Sequence, residues 1–317
     1  MPQKIEFTGY GATGFMFRNQ NKLREYNQQV YYEGKLQADI KISKDFEAQL
    51  DFRGHSEDQN VILREFSIKY EHFDKIKFRA GNIKIPFGFE QLMNTEDLLT
   101  VERSYLHRII SDYGYGGRRI SLMAYYNYKK QNPQFPYSYS LNIFKDNSLN
   151  SGIAARAAYH FNNDLSTAVS YQIQSKSGEE KITTNGISAE LLYEDKSYFT
   201  AIEIVYIQDP FERIRRRLAG QSENVTAAGL KSLIGVPINT GGEIIKSVEP
   251  VVLLSLYTPD SGELKYHTFQ ALVGANFYFD KDVRLRLNGD ALFTKNLYND
   301  AYNTIGSKLI IEIQVRF

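Results

Sequence analysis

Charged side chains that could act on a small solute are concentrated in one long segment, residues 81–117. Between its apolar residues stand seven titratable groups: Glu96, Asp97, Glu102, Arg103, His107, Arg108 and Asp112. Acids and bases that face each other across water create a transverse field, and such a field orients and selects polar solutes. The apolar residues in between would let the segment pack against a wall: Leu98, Leu99, Val101, Leu106, Ile109 and Ile110.

Eight side chains in and around this segment are predicted to line such a site: Arg103, Arg108, Arg118, Arg119, Lys84, Arg79, Glu102 and Asp97. We expect Arg103 and Arg108, together with the two arginines at the foot of the segment, to supply the cations. The alternative is that Arg103 pairs with Glu102 or with a wall carboxylate and only holds the segment in place.

A second basic cluster, in the stretch FERIRRRLAG, consists of Arg213, Arg215, Arg216 and Arg217. Such a cluster can raise the local concentration of anions at the mouth of a channel. It can also bridge the phosphates of lipopolysaccharide through bidentate contacts. The remaining alternative is a solvated loop.

Other kinds of site have little support in the sequence. The acids Glu96, Asp97 and Glu102 lack the spacing of a calcium loop, and the five histidines show no metal-ligand spacing, so no metal or cofactor is predicted. Ser104 lies close to His107, but no G-x-S-x-G motif or other source of oxyanion donors accompanies it. We therefore do not predict an enzyme.

The elements that must carry these residues are strands, because apolar and polar residues alternate with a period of two. In residues 31–43 one face reads Tyr, Gly, Leu, Ala, Ile, Ile and the other reads Glu, Lys, Gln, Asp, Lys. The pattern returns along the chain, less regularly at 5–17, 76–84, 225–236 and 246–257, and gives about sixteen strands. An even number is typical of bacterial outer-membrane barrels, and sixteen leave room for an aqueous channel.

The fold prediction is thus all-β: one transmembrane antiparallel barrel over residues 1–317, with a constriction loop at about 86–117 folded into the lumen. Short connections alternate with longer, polar ones at 19–27, 54–60, 81–117, 146–151, 175–184, 208–224, 259–265 and 295–307. Short turns on one side and long loops on the other are expected of such a barrel. The long segment is the third of the long set.

Composition agrees with a barrel in lipid. The mean hydropathy is −0.41, and no apolar run reaches about 18 residues, which excludes a helical membrane protein. Aromatic residues make up 14% of the chain, with 23 Tyr and 20 Phe, as expected for girdles at the membrane interfaces. The chain has no Cys and a net charge of +1, so neither disulfides nor nucleic-acid binding is predicted. Because the first strand begins almost at once, we take the sequence as a mature chain whose signal peptide is absent.

The segment KIKFRAGNIKIPFGFEQLMNTEDLLTVERS resembles the phosphate-selective porin family of Gram-negative outer membranes. The residues that carry the resemblance are Gly81, Lys84, Pro86, Phe87, Gly88, Glu102, Arg103 and Ser104. The preceding hairpin EGKLQADIKISKDFEAQLDF is also similar, so the likeness covers roughly residues 30–125. The final strand, KLIIEIQVRF, ends on Phe317 and resembles the signal read by the outer-membrane assembly machinery.

This resemblance implies a homotrimeric, sixteen-stranded porin in the cell outer membrane, surrounded by lipid and lipopolysaccharide. Its third loop would fold inward, and small hydrophilic solutes, preferably anions such as phosphate, would cross by passive diffusion. The alternatives are a general, weakly selective porin, or a non-conducting barrel that serves as an adhesin, an anchor or an outer-membrane enzyme. Basic residues at inward positions, such as Arg284 and Arg286, are nearly balanced by acids such as Glu203 and Glu312.

Overall fold

The computed structural model describes residues 4–20, 25–57, 59–129, 134–146, 150–176, 181–262, 266–296 and 299–317. Within these ranges, seventeen strands form a single sheet. Their bounds are β1 Lys4–Gln20, β2 Glu25–Lys41, β3 Phe46–His55, β4 Asn60–Tyr70, β5 Lys77–Lys84, β6 Arg118–Tyr126, β7 Tyr137–Lys145, β8 Ser151–His160, β9 Leu165–Lys176, β10 Ile182–Glu194, β11 Phe199–Gln208, β12 Thr226–Gly235, β13 Ile238–Asn239, β14 Ser247–Thr258, β15 Thr268–Asp280, β16 Val283–Asn296 and β17 Asn299–Arg316.

The sheet closes on itself. Every neighbouring pair is antiparallel, and β1 pairs with β2 on one side and with β17 on the other. The two-residue β13 pairs only with the start of β14, while β12 pairs with β14 directly. Sixteen strands therefore form the barrel wall, which confirms the predicted fold and strand number.

Alternation along each strand separates the two surfaces of the wall. On β2, Lys35 is 7% exposed and faces the lumen, whereas its neighbour Leu36 is 42% exposed and faces outward. The same arrangement holds around the barrel, with buried polar side chains inside and exposed Leu, Ile, Val, Phe and Tyr outside. Such an inverted surface is stable only where the outside meets lipid.

Two of the predicted long connections are mostly strand. Residues 19–27 and 295–307 were expected to be loops, but β1 runs to residue 20, β2 starts at 25, β16 ends at 296 and β17 starts at 299. Beyond the apolar band the side chains no longer alternate in hydrophobicity, so the sequence shows no strand pattern there. The two strands of each hairpin still form backbone hydrogen bonds with each other. The predicted loop at 208–224 contains helix α3, Pro210–Leu218, which begins where Asp209 accepts hydrogen bonds from the amides of Phe211 and Glu212.

The connection between β5 and β6 is folded into the lumen. It contains helix α1 (Phe89–Leu92), a 3₁₀ turn (Thr95–Asp97) and helix α2 (Tyr105–Asp112), and we call residues 85–117 the lumenal loop. The Ser104 hydroxyl caps α2 by accepting the amide of His107 at 3.1 Å. Of the helices in the described ranges, none is long and apolar enough to cross a membrane.

Two apolar clusters bind the lumenal loop to one side of the inner wall. The members of the first are Phe87, Leu106, Ile110, Tyr115, Val205, Ile207, Ala227 and Tyr257. The members of the second are Phe89, Leu99, Phe199, Ala201, Leu233, Val251, Leu253 and Leu272. Full burial of one such large side chain contributes about 1.5–3 kcal/mol, so the clusters hold the loop firmly.

The wall under these clusters is apolar on both faces. On β12 and β14, Leu233 and Val251 point inward under the loop, while Leu230 and Leu254 point outward to the exposed surface. A strand that carries apolar side chains on both faces loses its alternation of apolar and polar residues. This is why 225–236 and 246–257 looked irregular in the sequence.

Gly88 allows the lumenal loop to reach the wall. Its φ of +76° and ψ of 148° are rarely adopted by residues other than glycine, and a Cβ there would overlap the Oε1 atom of Glu203. We predict that Gly88→Ala loosens the loop, because backbone strain of about 1–3 kcal/mol adds to the displaced carboxylate. Hydrogen exchange of residues 89–112 in detergent micelles should then be faster than in the unsubstituted chain.

Gly117→Ala is the matched control, since Gly117 has a φ of +78° but no atom within 4 Å of the added Cβ. Equal protection of residues 89–112 in the two variants would contradict this view of Gly88.

Candidate functional site

Two cavities, of about 540 Å³ and about 370 Å³, lie where the lumenal loop approaches strands β2 to β6. A space of about 10 Å³ lies between them and shares lining residues with both. We call this space the neck, and its lining residues are Lys35, Asp51, Arg64, Lys84, Asn94, Thr95, Glu96, Arg103 and Arg118.

The neck carries more positive than negative charge, with five basic and two acidic side chains. Glu96 pairs with Lys35 at 2.7 Å, and Arg118 pairs with Glu65 at 2.8 Å and lies 3.7 Å from Asp51. Although burial alone would raise it, the ammonium of Lys35 keeps the pKa of Glu96 below its usual value. The other three bases, Arg64, Lys84 and Arg103, have no carboxylate within 4.0 Å in the described residues.

Lys84 and Arg103 hold the same turn of the lumenal loop from opposite sides. The ammonium of Lys84 donates to the carbonyl oxygens of Leu92 and Met93 at 3.0 Å each. Arg103 donates to the carbonyl oxygens of Glu90 and Met93. These contacts fix both side chains in position, and neither side chain has a carboxylate within 4.0 Å in the described residues.

Arg64 reaches the lumen through a β-bulge. Asp51 of β3 pairs with Glu65, but the next residue, Phe52, pairs with Leu63, so Arg64 is the extra residue on β4. A bulge re-aims the side chain it carries. Arg64 makes no side-chain hydrogen bond or ion pair with the described residues and lines both the neck and the larger cavity.

A buried ion triad ties the lumenal loop to the wall above the apolar clusters. Lys231 of β12 lies 2.5 Å from Glu90 of α1 and 2.7 Å from Glu203 of β11, and all three side chains are at most 3% exposed. Glu90 also accepts hydrogen bonds from the Ser104 amide at 2.7 Å and the Ser104 hydroxyl at 2.6 Å. Burial alone would raise the pKa of Glu90, but Lys231 keeps it far below its usual value.

Side chains of the inner wall satisfy the backbone of the loop. Arg284 and Arg286 both donate to the carbonyl oxygen of Leu98, at 3.0 and 3.2 Å. Asn288 accepts the amide of Val101 at 2.6 Å. Buried backbone groups need such partners. These two wall arginines therefore hold the loop and do not face the neck.

Comparison with protein-family models gives one match, to the family described as phosphate-selective porin O and P, over residues 17–207. This match covers more than half of the chain. The chain belongs to this family. It is therefore a porin, and the predicted resemblance is confirmed over a longer stretch than the sequence motifs indicated. A comparison with curated proteins finds no significant match.

Solved structures confirm the fold of this porin at low sequence identity. An anion-selective porin from Comamonas acidovorans is 11% identical, with a TM-score of 0.69 over 99% of this chain and 100% of that one. The outer membrane channel DcaP of Acinetobacter baumannii is 9% identical, with a TM-score of 0.68 over 99% and 97% of the two chains. Salmonella typhi OmpF in complex with daunomycin is 13% identical, with a TM-score of 0.63 over 99% and 98%.

Three of the eight predicted site residues meet at the neck: Lys84, Arg103 and Arg118. Arg103 binds carbonyl groups instead of the carboxylates considered for it. Glu102 contacts Lys308 of β17 and lines the larger cavity next to the neck. Arg79 pairs with Glu65 in the smaller cavity.

The other three predicted residues lie away from the neck. Arg108 is exposed and stacks over the ring of Tyr105 at 5.0 Å. Arg119 pairs with Asp146 at 2.5 Å and holds the foot of the loop. Asp97 pairs with Arg316 at 3.2 Å.

The basic cluster at 213–217 lies on and around helix α3, and each arginine has an acidic neighbour. Arg215 and Arg216 pair with Glu212, which lowers the pKa of that carboxyl to about 2 through hydrogen bonds from their guanidinium groups. Arg213 and Arg217 pair with Glu223. The cluster therefore has a much smaller excess of charge than its sequence suggested.

Sequence reasoning missed Arg64 and Lys231. Alternation on β4 places Arg64 on the lipid face with Phe66 and Ile68, where arginine is costly, and that conflict was a signal for a bulge. Lys231 is the one charged residue of β12 and lies on its inward face. A lone buried charge of this kind indicates a partner of opposite sign elsewhere in the chain.

We predict that Lys231→Met releases the lumenal loop of this porin, because Glu90 and Glu203 are left buried without their cation. Removing one partner of a buried ion pair costs about 3–5 kcal/mol. Hydrogen exchange should show a comparable fall in the free energy of opening of residues 89–112. Adding Glu90→Gln and Glu203→Gln should restore part of the protection.

The control is Lys308→Met, which also removes a tie between wall and loop but from a partly exposed pair. Its expected cost is below about 1 kcal/mol. If residues 89–112 are as well protected from hydrogen exchange in Lys231→Met as in the unsubstituted chain, the triad does not hold the loop.

Proposed function

We propose that this porin passes small hydrophilic solutes by passive diffusion and favours anions such as phosphate at its neck. The observation that carries this proposal is the set of three bases that line the neck without a carboxylate partner among the described residues, Arg64, Lys84 and Arg103. Membership of the phosphate-selective porin family supports the same preference.

The proposed mechanism needs no covalent step and no cofactor. A solute that enters the neck loses part of its water, and the fixed cations replace that water for an anion but not for a cation. At about 4 Å, one unit charge attracts another by about 1 kcal/mol in water and more where water is excluded. The lumenal loop sets the size limit, and the charges of loop and wall set the sign of the preferred ion.

A catalytic role has weaker support. The Ser104 hydroxyl is buried and donates to Glu90, while the ring of His107 lies 3.4 Å from the Ser111 hydroxyl. A nucleophile needs a base oriented toward it and an open face for substrate. Burial also lowers the pKa of His107, even though Glu90 opposes this shift. We infer a channel and not an enzyme.

We further propose that the porin lies in the outer membrane of a Gram-negative bacterium, made with a signal peptide and assembled as a homotrimer. The exposed apolar outer faces of the strands fit contact with lipid. Arg215, the most exposed arginine of its cluster at 61%, is the member best placed to meet a lipopolysaccharide phosphate. The family resemblance alone supports the trimer.

Planar-bilayer reversal potentials in a KCl gradient test the ion preference. The unsubstituted porin should be selective for chloride, and added phosphate should reduce the chloride current. Arg64→Gln should lower the chloride-to-potassium permeability ratio about fivefold, since about 1 kcal/mol of attraction is lost.

Lys281→Gln is the control, because Lys281 is 85% exposed on a turn between two strands and carries the same charge. The chloride-to-potassium permeability ratio of this variant should match that of the unsubstituted porin. Cation selectivity of the unsubstituted porin would contradict the proposed preference.

A further inference from the structure

A third cavity, of about 500 Å³, lies between the start of helix α2 and the wall strands β1, β15, β16 and β17. Its volume falls in the range of small-molecule sites. On the loop side it is lined by Glu102, Arg103, Ser104, Tyr105 and Arg108. We call it the side cavity.

Most of its polar groups already satisfy one another. Asp290 accepts the amide of Gln270 at 3.0 Å and pairs with Lys308 at 3.4 Å. Lys308 also contacts Glu102. The side-chain carbonyl oxygen of Gln270 is also occupied, because it accepts the backbone amide of Tyr105 at 2.7 Å. This network carries one net negative charge, because Glu102 and Asp290 share a single ammonium, so attraction for an anion must come from the arginines that line the cavity.

Two guanidinium groups stand outside that network. Within the described residues, Arg18 makes no side-chain hydrogen bond or ion pair, and Arg108 makes only its stacking contact with Tyr105. Both line the side cavity. Guanidinium groups bind carboxylates and phosphates through paired hydrogen bonds, so the cavity can accept an anionic group.

Apolar surface lies beside these two cations. The ring of Tyr105 and the side chains of Leu292 and Ile305 line the same cavity. A fully hydrated inorganic anion gains nothing from this surface. A ligand that joins an anionic group to a ring or a short apolar chain would use both parts, and apolar burial adds to the ionic contact.

We propose that the side cavity is a binding site for organic anions that carry an apolar body, such as aromatic monocarboxylates. The anionic group meets Arg18 and Arg108, and the ring packs against Tyr105, Leu292 and Ile305. This site adds a class of solute to the proposed function. It rests on that function in one respect, because the preference for anions is the reason that such a solute would enter the lumen. Arg103 lines both the side cavity and the neck, but the lining of the neck includes no apolar side chain.

The test uses three probes: benzoate, acetate and benzamide. Each is added to the folded porin in a planar bilayer while the chloride current is recorded, and binding is measured in parallel by ligand-observed NMR in micelles. Benzoate should bind and reduce the current at a concentration about tenfold below that of acetate, because only benzoate buries a ring. Benzamide, with a ring but no charge, should bind more weakly than benzoate.

Arg18→Gln and Arg108→Gln should each weaken benzoate binding several-fold. Lys281→Gln removes a positive charge from the exposed turn between β15 and β16, outside the side cavity, and should leave benzoate binding unchanged. The comparison of the three probes needs no variant, so it stands even if a variant fails to fold.

Equal binding of acetate and benzoate, or benzoate binding unaffected by both substitutions, would overturn the site. The proposed function would survive that result if the porin still favoured chloride over potassium. Conversely, cation selectivity with tight benzoate binding would overturn the preference at the neck and leave the side cavity in place.

Discussion

The ion triad of Glu90, Lys231 and Glu203 is the interaction on which the arrangement of the lumen depends. It joins the first helix of the lumenal loop to two wall strands, in a place closed to solvent. A buried ion pair adds little net stability compared with apolar residues, but a mispositioned one is very costly. The triad therefore acts chiefly by fixing one docking position for a loop that apolar contacts alone would hold less specifically.

Docking in that position determines where the charges stand. The turn at residues 90–94 is brought within reach of Lys84 and Arg103, which bind its carbonyl oxygens and have no carboxylate partner among the described residues. Facing them, the bulge on β4 turns Arg64 into the lumen. The balanced charge of the whole chain thus becomes a local excess of positive charge at the neck.

Much of this was predictable from the sequence, because the face that a wall residue occupies depends on its position along its own strand. Alternation identified twelve of the sixteen strands clearly and four less regularly, and the length of the third long connection identified the lumenal loop. The pairing of charges was not predictable, because it depends on register and docking. Arg284 and Arg286 looked like pore cations and instead hold the backbone of the loop, while Arg64 looked like a lipid-facing residue and reaches the neck.

The most direct test of the account is anomalous diffraction from crystals soaked in rubidium bromide, in which each ion is identified at its own absorption edge. The account predicts bromide at the neck, within about 4 Å of the side chains of Arg64 and Arg103, and no rubidium there. Rubidium at the neck, or bromide bound only elsewhere in the lumen, would contradict the claim that the docked loop creates an anion-selective constriction.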